Sequence, residues 1–212
     1  MRAIVFCDDR WHPASIVHSG LEPLQQEGFE FDWVENVSDW PVEQMFEYPV
    51  VALAKANNVS STDESLWMTE EIEQAFREYV GKGNGLLALH SGTAGYEHAA
   101  VLRGLLGGVF ASHPEQCPVT VEVQTGHPLT AGSSSFTVKD EHYFMELDDA
   151  QVDVFLTTRS EHGSQPGGWT RPEGDGRVCV LTPGHNVEVW LHPSFQALLH
   201  NALQWCGKKE SF

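Results

Sequence analysis

Cysteine is scarce and scattered in this chain. Cys7, Cys117, Cys179 and Cys206 stand far apart, and no two share Cys-x-x-Cys spacing. Neither a disulfide framework nor a thiolate zinc site is therefore indicated. Cys7, Cys179 and Cys206 fall inside apolar runs and read as small core residues. Basic residues are also few: 12 Lys and Arg face 30 Asp and Glu, a formal charge of −18. A surface of that sign repels phosphate backbones and anionic lipid, so neither nucleic acid nor a membrane is an expected partner. A neutral or locally neutralised small molecule fits better. No apolar run approaches the roughly 18–20 residues of a membrane-spanning helix. The first apolar run meets Asp8 and Asp9 too early for a secretion signal, which makes a cytoplasmic protein the expectation. Without such a signal, the Asn-x-Ser sequons at Asn36 and Asn58 are chance matches.

What is present fits one globular domain over residues 1–207 with a short tail at 208–212, since 41% of the 212 residues are hydrophobic and 20% charged. Strands are expected at Ile4–Cys7, Phe29–Val34, Val50–Ala54, Leu86–Leu89 and Arg177–Leu181, where β-branched and apolar residues cluster. Helices are expected from Pro13 to about Gln26, from Thr69 to Gly81, over Ala99–Leu106 and from Pro193 to Cys206. Thr69 can cap the second of these, and Ile72, Phe76, Tyr79 and Val80 give it one apolar face. Between residues 119 and 158 the texture changes to short strand candidates at Val119–Val123, Phe136–Val138 and Val152–Thr157. No helix fits between them, so antiparallel additions to the sheet are expected there. Ser160–Gly176 is dense in glycine and polar residues and reads as a long mobile loop, a lid carrying Trp169 and Arg171.

Two apolar runs stop at a histidine beside glycine, Leu86-Leu87-Ala88-Leu89-His90-Ser91-Gly92 and Val178-Cys179-Val180-Leu181-Thr182-Pro183-Gly184-His185. Ligands of open α/β sheets bind outside the carboxyl ends of parallel strands, so His90 and His185 are expected in one crevice. The alternative is that each ties down a turn, His90 by bonding a loop carbonyl. Ser91 sits where a nucleophile elbow would put its serine, although the glycine spacing of that motif is missing. Asp8, Arg10 and His12 lie at another strand end, on the same expected crevice edge. Glu141, within Asp140-Glu141-His142-Tyr143, supplies a carboxylate for acid–base work beside the imidazoles. His90, His113, Glu141 and His185 together also have the ligand chemistry of a divalent site such as zinc, and the residues leave metal-assisted and plain acid–base catalysis both open. Trp169 and Arg171 offer a stacking face and a planar fork of donors to a sugar, unless Trp169 simply pins its loop.

In order along the chain come Ala88-Leu89-His90-Ser91, Leu105-Leu106-Gly107-Gly108-Val109-Phe110 with His113-Pro114, Gly126-His127-Pro128-Leu129-Thr130 and Asp140-Glu141-His142-Tyr143. Gly168-Trp169-Thr170-Arg171, Gly174-Asp175-Gly176-Arg177-Val178, Gly184-His185 and Asn201-Ala202-Leu203-Gln204-Trp205 follow. Together these make the chain resemble the ThuA-like, trehalose-utilisation family. The resemblance implies an α/β fold like that of class I glutamine amidotransferases: a flavodoxin-like three-layer sandwich with a mainly parallel sheet. It also implies a place in carbohydrate metabolism. Amidotransferases of this fold carry a cysteine at the elbow, where this chain has His90, so glutamine hydrolysis through a thioester is not expected. After Gly184-His185 comes Asn186-Val187-Glu188, so the carboxylate that can follow this histidine is displaced to Glu188. The expected function is hydrolysis or isomerisation of a sugar or keto-sugar by His90, His185 and Glu141, with Asp8, Arg10, His12, Ser91, Trp169 and Arg171 binding substrate. A non-catalytic sugar-binding module on the same fold is the competing class, and self-association into a homo-oligomer stays open.

Overall fold

The computed structural model describes residues 1–148 and 152–207; the tail expected at 208–212 lies outside the described residues. The chain runs β1 (Arg2–Phe6), α1 (Ala14–Gln25), β2 (Glu30–Val34), β3 (Val50–Leu53), α2 (Glu70–Gly81), β4 (Gly85–Leu89) and α3 (Ala100–Leu106). It continues through β5 (Gly108–Ser112), β6 (Cys117–Val123), β7 (Phe136–Asp140), β8 (Phe144–Leu147), β9 (Asp153–Ser160), β10 (Gly163–Glu173), β11 (Gly176–Leu181), α4 (Val187–Trp190) and α5 (Pro193–Gly207).

One sheet holds nine of these strands in the order β2-β1-β3-β4-β11-β10-β9-β6-β7, while β5 and β8 form a separate ribbon. The pairings from β2 to β11 are parallel. Those from β11 to β7 are antiparallel. The fold is therefore mixed α/β, and the expected mainly parallel sheet is corrected: the two senses contribute four ladders each.

The parallel half follows from its sequence. Strands covered on both faces read as unbroken apolar runs, and β3 and β4 are buried at every position. Alternation divides each strand between two cores. Ala3 and Val5 join residues of α1 and α5, whereas Ile4 and Phe6 join residues of α2 and α3. Helix α2 begins where expected, with Thr69 Oγ1 accepting from the Ile72 amide at 3.3 Å. Its terminal left-handed turn is at Gly83 (φ 95°), not Gly81.

The lid does not exist as a loop. Gly163–Glu173 is β10, hydrogen-bonded on one side to β9 and on the other to β11. Its glycines serve close approach: a Cβ at Gly168 would come within 2.8 Å of Leu156 Cδ1, and one at Gly167 within 2.7 Å of Thr158 Cγ2. Irregular register between Pro166 and Trp169 accommodates the proline and the two glycines in a central strand.

Candidate active site

The strand order reverses around β1, with β2 on one side and β3 on the other. Loops leaving β1, β3, β4 and β11 converge beyond the carboxyl ends of these parallel strands, where the fold opens a crevice. A cavity of about 600 Å³ occupies that place, and His12, Asn58, Phe110, Glu141, Tyr143 and His185 are among its lining residues.

His90 follows β4 directly, at a left-handed backbone angle (φ 43°) that turns its side chain sharply out of the strand. Its Nδ1 lies 2.8 Å from the Thr182 carbonyl. A carbonyl can only accept, so Nδ1 carries the proton and Nε2 presents its lone pair. One nitrogen thus ties down a loop and the other faces the cluster. Tyr143 stacks on the ring at 4.1 Å between centroids.

His12 is fixed by the same logic. Asp9 lies 2.7 Å from its Nδ1 and accepts from the amides of Trp11, His12 and Ala56. Burial works to raise the Asp9 carboxyl, but the bond to His12 and those from the backbone outweigh it and hold it at about 2. The His12 imidazole is pushed down, chiefly by burial and by its neighbours His90 and His185, against the pull of Asp9. His12 is thereby neutral near pH 7, with Nε2 as its free atom.

His185 is delivered by a loop that a buried carboxylate grips. Asp140 accepts from the amides of Gly184 and His185, both at 2.9 Å, and of Asn186 at 3.3 Å. Gly184 (φ 144°) suits a backbone angle that L side chains rarely adopt, and a Cβ there would press on His90 Cβ at 3.2 Å. Glu141 then lies between the imidazoles, 3.1 Å from His185 Nδ1 and 3.5 Å from His90 Nε2. The Glu141 carboxylate raises His185. Burial works to raise Glu141 itself, but its pairing with His185 holds it well below the usual carboxylate range.

His12, His90, Glu141 and His185 each place one ligand atom within 4.8 Å of the others. His12 Nε2 is buried with no hydrogen-bond partner, a costly state for a polar atom in an otherwise bonded site, and the equally buried His90 Nε2 and His185 Nδ1 face the Glu141 carboxylate. Three imidazole nitrogens and a carboxylate form a ligand set suited to zinc or a similar ion. His12 and His90 also show the backing bonds, to a carboxylate and a carbonyl, that orient metal-binding histidines. The donor set thus fits a divalent ion. The grouped set has His12 where the expected set had His113, which stands on the cavity wall with Nε2 3.6 Å from Glu141 and Nδ1 2.8 Å from the Pro114 carbonyl.

Other expected residues are placed elsewhere. Trp169 is fully buried under α3, donating from Nε1 to the Leu106 carbonyl at 2.8 Å. Arg171 bonds the carbonyls of Gly104 and Leu105 and pairs with Glu173. Neither lines the cavity, because β10 is a sheet strand and not a lid. Ser91 is buried in the short turn His90–Thr93 and does not reach the cavity. Asp8 accepts from the Ala14 amide at the start of α1, and Arg10 pairs with Glu64 at the surface. Each thus braces a loop, and neither lines the cavity. Sequence reasoning missed Asp9 and Asp140 as anchors, although Asp9 stands three residues before His12 and Asp140 directly before Glu141. For Asn58 and Leu66, also on the cavity wall, the sequence carries no signal.

A family model described as ThuA, trehalose utilisation, matches residues 2–206. No curated protein matches the chain. Among solved structures, a ThuA-like protein from Bacteroides uniformis is 23% identical with a TM-score of 0.73, over 97% of this chain and 91% of that one. A second, from Parabacteroides merdae, is 18% identical with a TM-score of 0.77, over 98% and 90%. A cold-adapted β-galactosidase from Rahnella is 15% identical with a TM-score of 0.70, over 96% of this chain but 30% of that enzyme. At such identities the likeness is one of fold.

Proposed function

The chain belongs to the ThuA family, whose model carries the description trehalose utilisation, and on that premise we propose that it is an enzyme acting on a sugar or keto-sugar by hydrolysis or isomerisation. The observation that carries this reading is the trio of buried imidazole nitrogens gathered around Glu141 at the edge of a cavity walled by Phe110 and Tyr143. Aromatic walls suit the apolar faces of sugar rings, while the cluster supplies proton donors and acceptors.

His90 is buried and not part of the cavity wall; with its proton committed to Thr182, its Nε2 accepts a proton from an attacking water that enters the cluster. His185, raised by Glu141, gives a proton to the substrate oxygen. Glu141 stays ionised beside both, steadying the His185 imidazolium before its proton is given and the His90 imidazolium once a proton is taken. Asp9 and Asp140 hold the two outer histidines in place from behind. A divalent ion held by His12, His90, His185 and Glu141 would supply a polarised carbonyl or an activated water in place of one of these proton transfers.

Elemental analysis and zinc titration of the purified protein, with turnover of trehalose and its keto form before and after chelation, test this reading. We expect about one equivalent of metal, lost in His12→Ala and in His90→Ala, and turnover abolished in His90→Ala. Turnover indifferent to chelation would leave His90 and His185 as a plain acid–base pair. Sugar binding without turnover, altered by His90→Ala only in affinity, would mark a binding module and overturn the enzymatic reading.

A further inference from the structure

Large hydrophobic side chains are left exposed at three positions among the described residues: Trp11 (61%), Leu66 (70%) and Leu191. The first two both line the cavity, although they come from different loops, one after β1 and one after β3. Their loops are tied together. Arg10, beside Trp11, pairs with Glu64, which stands two residues before Leu66 and also lines the cavity. Asn58 lies on the same wall, and its buried Oδ1 has no partner while its Nδ2 donates to the Ser60 carbonyl at 2.6 Å. An exposed tryptophan and leucine held at one mouth, beside an unsatisfied acceptor, form a surface awaiting a ligand with an apolar face and hydroxyl donors.

We propose that this mouth is a second sugar subsite. The reacting ring sits at the histidine cluster, and the next ring of a disaccharide lies between Trp11 and Leu66, with Asn58 accepting from one of its hydroxyls. The subsite rests on the carbohydrate reading above and names its substrate class as a two-ring sugar. Trp11 takes the stacking role that the buried Trp169 cannot. The Arg10–Glu64 pair keeps the two loops at a fixed spacing, so the platform exists before the sugar arrives.

Calorimetric titration with trehalose and with glucose, on wild type, Trp11→Ala, Trp11→Phe and Leu66→Ala, tests the subsite. Wild type should bind trehalose about tenfold more tightly than glucose, the scale of one aromatic stacking contact. Trp11→Ala and Leu66→Ala should erase most of that gap with melting temperature unchanged, and Trp11→Phe should restore part of it. Equal affinity for the two sugars, or a gap that survives Trp11→Ala, would overturn the subsite and leave the carbohydrate reading standing. If wild type binds neither sugar, that reading fails and the subsite with it. Sedimentation of the same proteins supplies the remaining arm: a dimer dissolved by Trp11→Ala, with sugar affinities untouched, would show that a second copy of this chain covers the mouth and overturn the proposal.

Discussion

Replacing Asp9 by asparagine removes one charge and one acceptor from a group whose two oxygens are fully used. Oδ1 accepts from the amides of Trp11 and His12 at 2.9 and 3.0 Å, Oδ2 accepts from the Ala56 amide at 3.0 Å, and both face His12 Nδ1. In Asp9→Asn the amide nitrogen fits best at the Oδ2 position, where only the Ala56 amide is lost, and that N–H becomes a buried donor facing a donor. Weakening the charged bonds and stranding one amide costs about 3 kcal/mol. For a chain of this length that lowers the melting temperature by roughly 6–12 °C. The effect has a pH signature. Asp9 is held at about 2 in the fold against an ordinary 3.8, so its contribution is complete above pH 4 and is lost as pH falls toward 2. Urea melts at pH 7 and pH 2 should therefore show the wild-type advantage shrinking, provided both proteins remain folded at the lower pH. With Oδ1 still accepting from His12 Nδ1 but no charge behind the imidazole, His12 becomes a weaker ligand, and zinc affinity should fall by roughly 10–100-fold. An Asp9→Asn protein as stable as wild type at pH 7, or one whose deficit stays constant with pH, would refute this account of the anchor.

Trp169→Ala should destabilise by about 3–5 kcal/mol in urea unfolding, because a fully buried indole and its bond to Leu106 are lost. At temperatures where the variant is folded, its trehalose affinity by calorimetry should match wild type, and a selective loss of affinity would restore Trp169 to the site. Gly184→Ala should cost about 1–3 kcal/mol from its backbone angle alone (φ 144°) and should also weaken zinc binding, since the new methyl presses on the His90 side chain. Unchanged metal affinity in that variant would show that the His185 loop shifts without disturbing the cluster.

Much of the parallel half was legible because burial on both faces writes itself as apolar runs. The strands at Val50–Ala54, Leu86–Leu89 and Arg177–Leu181 were read within a residue at most boundaries. Their meeting in one sheet followed, and with it the approach of His90 to His185, 5.7 Å apart between ring centroids. The strand at Gly163–Glu173 was not legible. Its Gly167-Gly168 pair has the composition of a mobile loop, and only the positions of Leu156 and Thr158 on the neighbouring strand reveal that the glycines admit close packing. His12 was read as a substrate contact and not as a ligand, because its distance to the cluster depends on the loop after β1 folding back under Asp9. No local pattern records that fold. The run 140–143 shows the same limit: Asp140 grips the His185 loop, Glu141 enters the cluster, His142 bonds Ser160, and Tyr143 stacks on His90. Four adjacent residues with four separate destinations cannot be assigned from their spacing.

The two non-glycine residues with left-handed backbone among the described residues, Asp8 (φ 68°) and His90 (φ 43°), both stand at carboxyl ends of parallel strands facing this site. Such angles cost of order 1–3 kcal/mol each and persist only where surrounding bonds overdetermine them. At Asp8 the carboxylate accepts from Ala14, and the fully buried Lys55 donates to the Asp8 carbonyl at 2.5 Å. At His90 the Thr182 carbonyl holds Nδ1, while Thr93 Oγ1 donates to the His90 carbonyl at 2.9 Å. The strain at His90 turns an imidazole out of the strand end and sends the next residue, Ser91, into the core. A nucleophile elbow would use that geometry to expose a hydroxyl or thiol. Here it exposes a nitrogen whose ring orientation and tautomer are both fixed, which suits proton transfer or metal binding and leaves no covalent nucleophile at the turn.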